Sequence, residues 1–217
     1  MPMFFTSIEA LLFGIPAILI AITFHEYAHG KMADILGDPT PRSQGRLTFN
    51  PIPHLDVIGS LMLLIVGFGW AKPVLVNPFH FNMNRERGMM IVALAGPGIN
   101  LLIAFFAGLG LVFFGSIAIP GTGETLGLFF WYLLWFNVML AVFNMLPLPP
   151  LDGSKVLMGI LPKSTFPIFN MLETYGPFIL LGLLIFGFLG GIIRPAIMFI
   201  IEFILNFAFF IAFFVTF

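Results

Sequence analysis

Five long apolar runs constrain the fold of this chain more than any other feature. Most of them approach the roughly 20 residues that a helix needs to cross a bilayer. The runs are Phe4 to Phe24, Met89 to Pro120, Leu126 to Leu146, Phe178 to Ile193 and Ala196 to Phe217. Only 9% of the 217 residues are charged, against about 25% in a soluble domain. The sequence predicts an all-α polytopic membrane protein with about five transmembrane helices, in a single membrane-embedded domain over residues 1–217.

The basic residues predict how the chain is oriented. With five spans, eight of the nine Lys and Arg residues lie on one side of the membrane, and Arg194 lies opposite. The positive-inside rule makes the side that holds Lys31 cytoplasmic, with the N-terminus outside and the C-terminus inside. A net charge of −1 gives no reason to expect a nucleic-acid partner. The predicted surroundings are the lipid bilayer of a cell membrane.

The end of the first apolar run carries the motif His25-Glu26-Tyr27-Ala28-His29. On a helix, histidines four residues apart project from one face, close enough to bind one Zn²⁺. Glu26 is offset by about 100° around the helix, where it can act as general base toward a water held by the metal. Ionisable groups inside membrane segments are costly and usually functional, so a purely structural role for the histidines is disfavoured.

A catalytic zinc site needs a third protein ligand. The chain has no cysteine, so His, Asp or Glu must supply it. Proline-rich residues break the third apolar run between Phe143 and Gly153 and present Asp152 at the cytoplasmic end of that run, at a depth similar to that of the histidines. A third histidine at the extended-motif position is excluded because that residue is Ile35. Asp152 is favoured as the ligand, and the rivals are His54, Asp56, Glu173 and Glu202.

The connection after the first span predicts two further elements near the cytoplasmic side. Residues 55–66 are apolar but too few to span, which suits a re-entrant or interfacial helix. Residues 67–70 and 73–78 suggest a short β-hairpin lining the catalytic entrance. Such a hairpin could pair with an unwound substrate or could be a plain surface feature. In the second span, Asn100 lies among small residues that favour close helix packing, and it could also bond a substrate or a neighbouring helix.

Three motifs together resemble the site-2 protease family of intramembrane zinc metalloproteases, peptidase family M50. They are H-E-x-x-H at residues 25–29, A-G-P-x-x-N at residues 95–100 and N-x-x-P-x-P-P-L-D-G at residues 144–153. The resemblance implies zinc ligands at His25, His29 and Asp152, a catalytic base at Glu26, and a role for Asn144 in holding the substrate or the site. It also implies that His54 could contact substrate or the oxyanion, as in the short prokaryotic branch without PDZ or CBS domains.

These features predict an enzyme that hydrolyses a peptide bond in or near a transmembrane segment of a membrane-protein substrate. Water activated by zinc would attack the bond, with Glu26 as general base. A helical substrate must unwind locally, because its peptide bonds are otherwise shielded. Two alternatives remain: a non-catalytic zinc-binding membrane scaffold, which would need the ligands but not Glu26, and a metal transporter, which would need more acidic groups than the spans contain. The substrate, the cleavage position and the oligomeric state are not specified by the sequence.

Overall fold

The computed structural model describes residues 8–66, 69–115 and 121–216, and these are mostly helical. The helices are α1 (Ile8–Ile35), α2 (Thr40–Ser43), α3 (Val57–Val66), α4 (Arg85–Gly115), α5 (Thr122–Asn144), α6 (Asp152–Ile160), α7 (Phe166–Ile185) and α8 (Phe188–Thr216). Short 3-10 turns occupy Ile52–His54, Pro78–His80 and Lys163–Thr165. The prediction of an all-helical membrane protein agrees with this architecture.

Four of the described helices are long and apolar enough to cross a membrane. They are α1, α4, α5 and α8, the last over Phe188–Phe214. Glycines in the left-handed region mark three of their boundaries: Gly37 follows α1, Gly121 precedes α5 and Gly187 separates α7 from α8, with φ values of 108°, 80° and 74°. A residue with a Cβ atom adopts this conformation at a cost, so glycine suits each boundary.

Helices α1, α4 and α5 form an antiparallel core. Alanines face one another where α1 and α4 meet, with Ala17, Ala21 and Ala104 fully buried. The ring of Phe130 of α5 packs against Gly110 of α4. A Cβ atom at Gly110 would lie 2.4 Å from that ring, so only glycine allows this contact. Lipid tails are as apolar as leucine, so helices in a membrane are held by this kind of close packing rather than by exclusion of water. The small residues therefore fix how closely the three helices approach.

The last two helices divide the fourth predicted run, Phe178 to Ile193, at the Gly187 turn. Leu180 of α7 and Leu189 of α8 both pack against Leu151, which directly precedes α6. Helix α8 therefore begins at the end of the bundle where α5 ends and α6 begins. About five spans were predicted; among the described residues four helices have the length and hydropathy of a span, and the number of crossings stays a prediction.

The connection between α1 and α4 contains α3, which matches the short apolar helix predicted for residues 55–66. The predicted β-hairpin is wrong for the residues that the structure describes; Gly67 and Phe68 lie outside them. Residues 69–77 contain one isolated antiparallel bridge, between Ala71 and Leu55.

The hairpin prediction fails because the backbone N–H groups of this segment donate to a turn and to side chains, and not to a partner strand. Lys72 donates to the His54 carbonyl at 2.9 Å. Val74 donates to the Glu26 carboxylate at 3.0 Å and Asn77 to the Asp38 carboxylate at 2.7 Å. The segment is therefore extended but bound to α1, to the turn after α1 and to the 3-10 turn at His54, an arrangement that alternation of apolar residues does not reveal.

Candidate metal centre

Two imidazoles and one carboxylate converge inside the bundle. His25 and His29 project from one face of α1, and their Nε2 atoms lie 3.0 Å apart. Asp152, the first residue of α6, places Oδ2 at 3.1 Å from each of these nitrogens. All three residues are buried, with 4%, 9% and 7% of their surfaces exposed. Among the described residues, they are the group of histidine and acidic side chains whose geometry could hold a metal ion.

The turn between α5 and α6 delivers Asp152 to this point. Three prolines between Leu146 and Leu151 prevent α5 from continuing, and the chain re-enters a helix at Asp152. The next residue must be glycine, because a Cβ at Gly153 would lie 2.3 Å from the Met145 carbonyl oxygen. The carboxylate also lies in the first turn of α6, where the helix dipole stabilises negative charge. The local sequence thus determines both the break and the position of the carboxylate.

The geometry of this triangle fits zinc. In a tetrahedral site with bonds of about 2.0–2.1 Å, ligand atoms lie about 3.3–3.5 Å apart. The three donor atoms are 3.0–3.1 Å apart, so small adjustments place them on three corners of such a tetrahedron. Two imidazole nitrogens and one carboxylate oxygen are also the ligand set of a catalytic zinc site, which leaves the fourth position for water or substrate.

The outer nitrogen of each imidazole is held by a hydrogen bond. His25 Nδ1 lies 2.6 Å from the side-chain oxygen of Asn100, and His29 Nδ1 lies 2.7 Å from the carbonyl oxygen of Val92. Both partners accept hydrogen bonds, so each Nδ1 carries the proton and each Nε2 offers its lone pair to a metal. The sequence singled out Asn100, and the structure places it beside a candidate ligand.

Asn137 belongs to the same network and was missed by the sequence analysis. Its side-chain oxygen accepts a hydrogen bond from Asn100 Nδ2 at 2.7 Å, and Asn100 Nδ2 also donates to the Ala21 carbonyl at 3.0 Å. An amide in the middle of an apolar span is the signal that could have identified it. Asn144, which the resemblance favoured, instead donates to the Leu140 carbonyl of its own helix at 3.0 Å.

Gly96 makes room for the two imidazoles where α4 crosses α1. A Cβ at this position would lie 2.5 Å from the Cε1 and Nε2 atoms of His29 and 2.7 Å from Cε1 of His25. These distances are shorter than any van der Waals contact, so a larger residue would displace the rings. The A-G-P-x-x-N motif therefore contributes both space, through Gly96, and a hydrogen bond, through Asn100.

Glu26 lies beside the triangle and faces the connection between α1 and α4. Its Oε2 accepts the Val74 N–H, and the guanidinium of Arg46 lies 3.8 Å from the same oxygen. Arg46 is 4% exposed and also donates to the carbonyls of Pro53 and Lys72. Burial lowers the pKa of the Arg46 guanidinium, and the nearby Glu26 carboxylate opposes that shift. In the sequence, Arg46 is only one of the eight basic residues predicted on one side of the membrane, because its burial depends on the folded connection.

The remaining candidates do not join the triangle. His54 is fully buried, and its Nε2 lies 2.9 Å from the Thr48 carbonyl oxygen. Asp56 accepts the Gly59 N–H at 2.8 Å, at the start of α3. Glu173 and Glu202 are exposed on α7 and α8. Of the five acidic or histidine candidates considered for the third ligand, Asp152 is the one that the structure brings to His25 and His29.

A bundle of membrane-length apolar helices that buries two imidazoles and a carboxylate around one point, with a glutamate beside them, defines a membrane metalloenzyme. The model of peptidase family M50 matches residues 117–187, which include Asp152. No significant match to a solved structure is found.

Three curated relatives, each named "Putative zinc metalloprotease", align with most of the chain. YwhC of Bacillus subtilis is 39% identical over 162 residues, 73% of this chain and 74% of YwhC. MJ0611 of Methanocaldococcus jannaschii is 32% identical over 154 residues, 70% of this chain and 72% of MJ0611. Rip2 of Mycolicibacterium smegmatis is 30% identical over 154 residues, 64% of this chain and 53% of Rip2. The chain belongs to peptidase family M50 and is a zinc metalloprotease.

Proposed function

We propose that this protein is a site-2 protease-like enzyme that hydrolyses a peptide bond in or near a transmembrane segment of a membrane-protein substrate. The observation that carries the proposal is the buried triangle of His25, His29 and Asp152, with Glu26 beside it on α1. These three side chains would hold the zinc ion. The family resemblance and the position of the triangle among apolar helices both support a substrate that lies in the membrane.

When bound, zinc supplies Lewis acidity, which makes a water molecule a better nucleophile near neutral pH and polarises the scissile carbonyl. Glu26 accepts the proton of the attacking water and returns it to the leaving amine. The N–H of Val74 and the guanidinium of Arg46 hold the Glu26 carboxylate in place through the contacts at its Oε2. His25 and His29 would offer Nε2 to the zinc, with the Nδ1 atoms hydrogen-bonded to Asn100 and the Val92 carbonyl.

The substrate must present an unwound peptide bond to this site. A peptide bond within a helix is enclosed by its own hydrogen bonds, so Gly, Pro or polar residues near the cytoplasmic end of the substrate segment favour cleavage. The extended residues 73–77 lie next to Glu26 and provide backbone for such a segment to meet. Contacts of His54 and Asn144 with the substrate or the oxyanion stay predictions, since their described bonds are to Thr48 and Leu140.

The proposal places the active site toward the cytoplasm in a prokaryotic cell membrane, in one domain over residues 1–217. The basic residues in the connection between α1 and α4 support this orientation through the positive-inside rule. The bacterial and archaeal relatives support the prokaryotic assignment.

A Glu26→Gln variant tests the proposal against a non-catalytic zinc scaffold. The purified protein in detergent is incubated with a model transmembrane peptide that carries a Gly-Pro pair near one end, and cleavage is followed by mass spectrometry. We expect Glu26→Gln to bind zinc like the wild type and to lose cleavage by at least about 100-fold, the usual contribution of a general base. Cleavage at the wild-type rate would contradict the assignment of Glu26. Wild-type protein that binds zinc and cleaves no membrane peptide would favour the scaffold.

A further inference from the structure

Asn137 is a fully buried amide in the middle of α5 to which the proposed mechanism assigns no step. It lies at the end of a hydrogen-bonded chain that runs from α5 through α4 to α1. The chain consists of Asn137, Asn100 and His25, and each of the two asparagines is 0% exposed. A buried polar network of this kind is retained only where its members satisfy one another.

The direction of each hydrogen bond in this chain is determined. Asn137 Nδ2 donates to the Leu133 carbonyl at 2.8 Å, so its side-chain oxygen faces Asn100. Asn100 Nδ2 then donates to that oxygen at 2.7 Å and to the Ala21 carbonyl at 3.0 Å. Its own oxygen is left facing His25 Nδ1 at 2.6 Å. His25 must therefore carry its proton on Nδ1, which leaves the Nε2 lone pair free.

The two histidines differ in how this proton is held. His29 bonds to the Val92 carbonyl, a backbone group that can only accept. His25 bonds to a side-chain amide, which could rotate by half a turn and present its NH₂ group instead. A rotated Asn100 would favour the His25 tautomer with its proton on Nε2, and that tautomer cannot bind the metal through Nε2, the atom that faces His29 and Asp152. Only His25 therefore depends on a second residue to keep its partner in the correct orientation.

We propose that Asn137 is a positioning residue for the metal site. By accepting from Asn100, it fixes the orientation of that amide and, through it, the tautomer and ring position of His25. The inference rests on the proposed ligand set of His25, His29 and Asp152. Asn137 would support the ligands without being one of them. With it, α5 contributes to the zinc site alongside α1, α4 and α6.

A double-mutant cycle on zinc affinity tests the inference without relying on activity. The variants are Asn137→Leu, Asn100→Leu and the double variant, and affinity is measured by competition with a chelator in detergent. We expect Asn137→Leu to weaken zinc binding about tenfold, the lower end of the range for residues that orient metal ligands. Asn100→Leu should weaken it at least as much. The double variant should bind no more weakly than Asn100→Leu, because Asn137 acts only through Asn100.

Asn144→Leu is the matched control. Asn144 lies on the same helix as Asn137, and each donates to the carbonyl four residues before it. The bond described for Asn144 is this one, to Leu140, whereas Asn137 also accepts from Asn100. The contact predicted for Asn144 is with substrate or the oxyanion and not with a zinc ligand, so its replacement should leave zinc affinity unchanged, whatever it does to cleavage. Wild-type affinity in Asn137→Leu, or effects of the two single variants that add in the double variant, would overturn the inference.

Two further variants keep the outcomes distinguishable. His25→Ala should lose zinc; if its zinc affinity is unchanged, the proposed ligand set fails, and the role of Asn137, which rests on it, fails with it. Asn137→Ala removes the same amide without filling its place, and it carries the test if Asn137→Leu does not yield monodisperse protein. Loss of zinc in His25→Ala with wild-type affinity in Asn137→Ala would reject the positioning role alone.

Discussion

At the scale of single residues, the candidate site depends on a glycine as much as on the three candidate ligands. Gly96 allows α4 to pass directly over the imidazoles of His25 and His29, at distances that no Cβ atom tolerates. Because the rings are held by Asn100 and Val92 on the same helix, they cannot move away without losing those bonds. Space and hydrogen bonding at this crossing are therefore set by one stretch of α4.

A Gly96→Ala variant should lose zinc affinity by more than tenfold, because the added methyl group displaces both rings from the triangle. Gly98→Ala is the control, since a Cβ at Gly98 meets nothing within 4 Å. Metal analysis of the two purified variants after dialysis against a weak chelator measures the difference. Equal zinc content in both variants would contradict the crossing geometry described here.

Sequence patterns predicted the candidate site residues whose positions follow from local geometry. Histidines four residues apart on a helix share a face whatever surrounds them, and a proline-broken turn presents the residue that follows it. Asn137 and Arg46 have no such local signature. Their roles arise from contacts with residues distant in sequence, such as Asn100 for Asn137 and Glu26 for Arg46. The partners of such residues can be identified only once the helices are placed.

At the scale of elements, the connection between α1 and α4 is fixed to α1 by buried charges. Arg46 joins two carbonyls of the connection to the Glu26 carboxylate, and Asp38 accepts the N–H of Asn77. The β-hairpin prediction failed here because the pattern of apolar residues and prolines indicates extended backbone without saying what its N–H groups bond to. The short apolar helix predicted for residues 55–66 is present as α3, and its re-entrant or interfacial placement stays a prediction.

Replacing Arg46 with methionine should destabilise the connection. The variant leaves Glu26 buried without its cationic neighbour and two carbonyls without their donor, a type of loss that costs about 3–5 kcal/mol. Thermal unfolding in detergent should shift clearly downward, and cleavage should fall with it. The control is Arg42→Met, whose exposed ion pair with Asp34 contributes little. Similar unfolding temperatures for the two variants would show that Arg46 does not fix the connection.

Asp38 should make the stability of the connection dependent on acid pH. Burial alone would raise the pKa of its carboxyl, but hydrogen bonds from Thr40, the Asn77 N–H and His80 outweigh burial and hold the pKa below its ordinary value. The ionised form therefore contributes stability above the unfolded pKa of about 3.9, and this contribution is lost as the pH falls through the lower folded value.

An Asp38→Asn variant isolates this contribution. It should unfold at a lower temperature than the wild type at pH 5, and the difference should narrow as the pH is lowered toward 3. Scanning calorimetry or intrinsic fluorescence in detergent measures both proteins in parallel. A difference that stays constant or widens down to pH 3 would mean that Asp38 is not stabilised in its ionised form.

At the scale of the whole molecule, the packing of α7 and α8 bears on how often the chain crosses the membrane. Leu180 and Leu184 of α7 and Leu189 of α8 all pack at the turn before α6. Helix α7 therefore stays at the end of the bundle that holds Asp152, and α8 leaves from that end. If α1, α4, α5 and α8 are the four crossings, Arg194 would lie on the same side as the other basic residues, which would satisfy the positive-inside rule better than five crossings do.

This arrangement predicts that the C-terminus lies outside, opposite to the location expected from five apolar runs. A reporter fused after Phe217 that is active only outside the cytoplasm should be active, and a green fluorescent protein fused there should stay dark. A fusion after Lys163 should give the reverse pattern in either arrangement and serves as the control. Bright fluorescence from the fusion after Phe217 would contradict four crossings and support five.

X-ray absorption spectroscopy of the zinc-loaded protein tests the central claim most directly, because it reports the ligands of the metal itself. The wild type should show one zinc per chain, with two imidazole nitrogens and carboxylate oxygen at about 2.0–2.2 Å. In Asp152→Ala, the carboxylate contribution should disappear and zinc content should fall sharply. Unchanged zinc content and an unchanged spectrum in that variant would contradict a site formed by α1 and the start of α6.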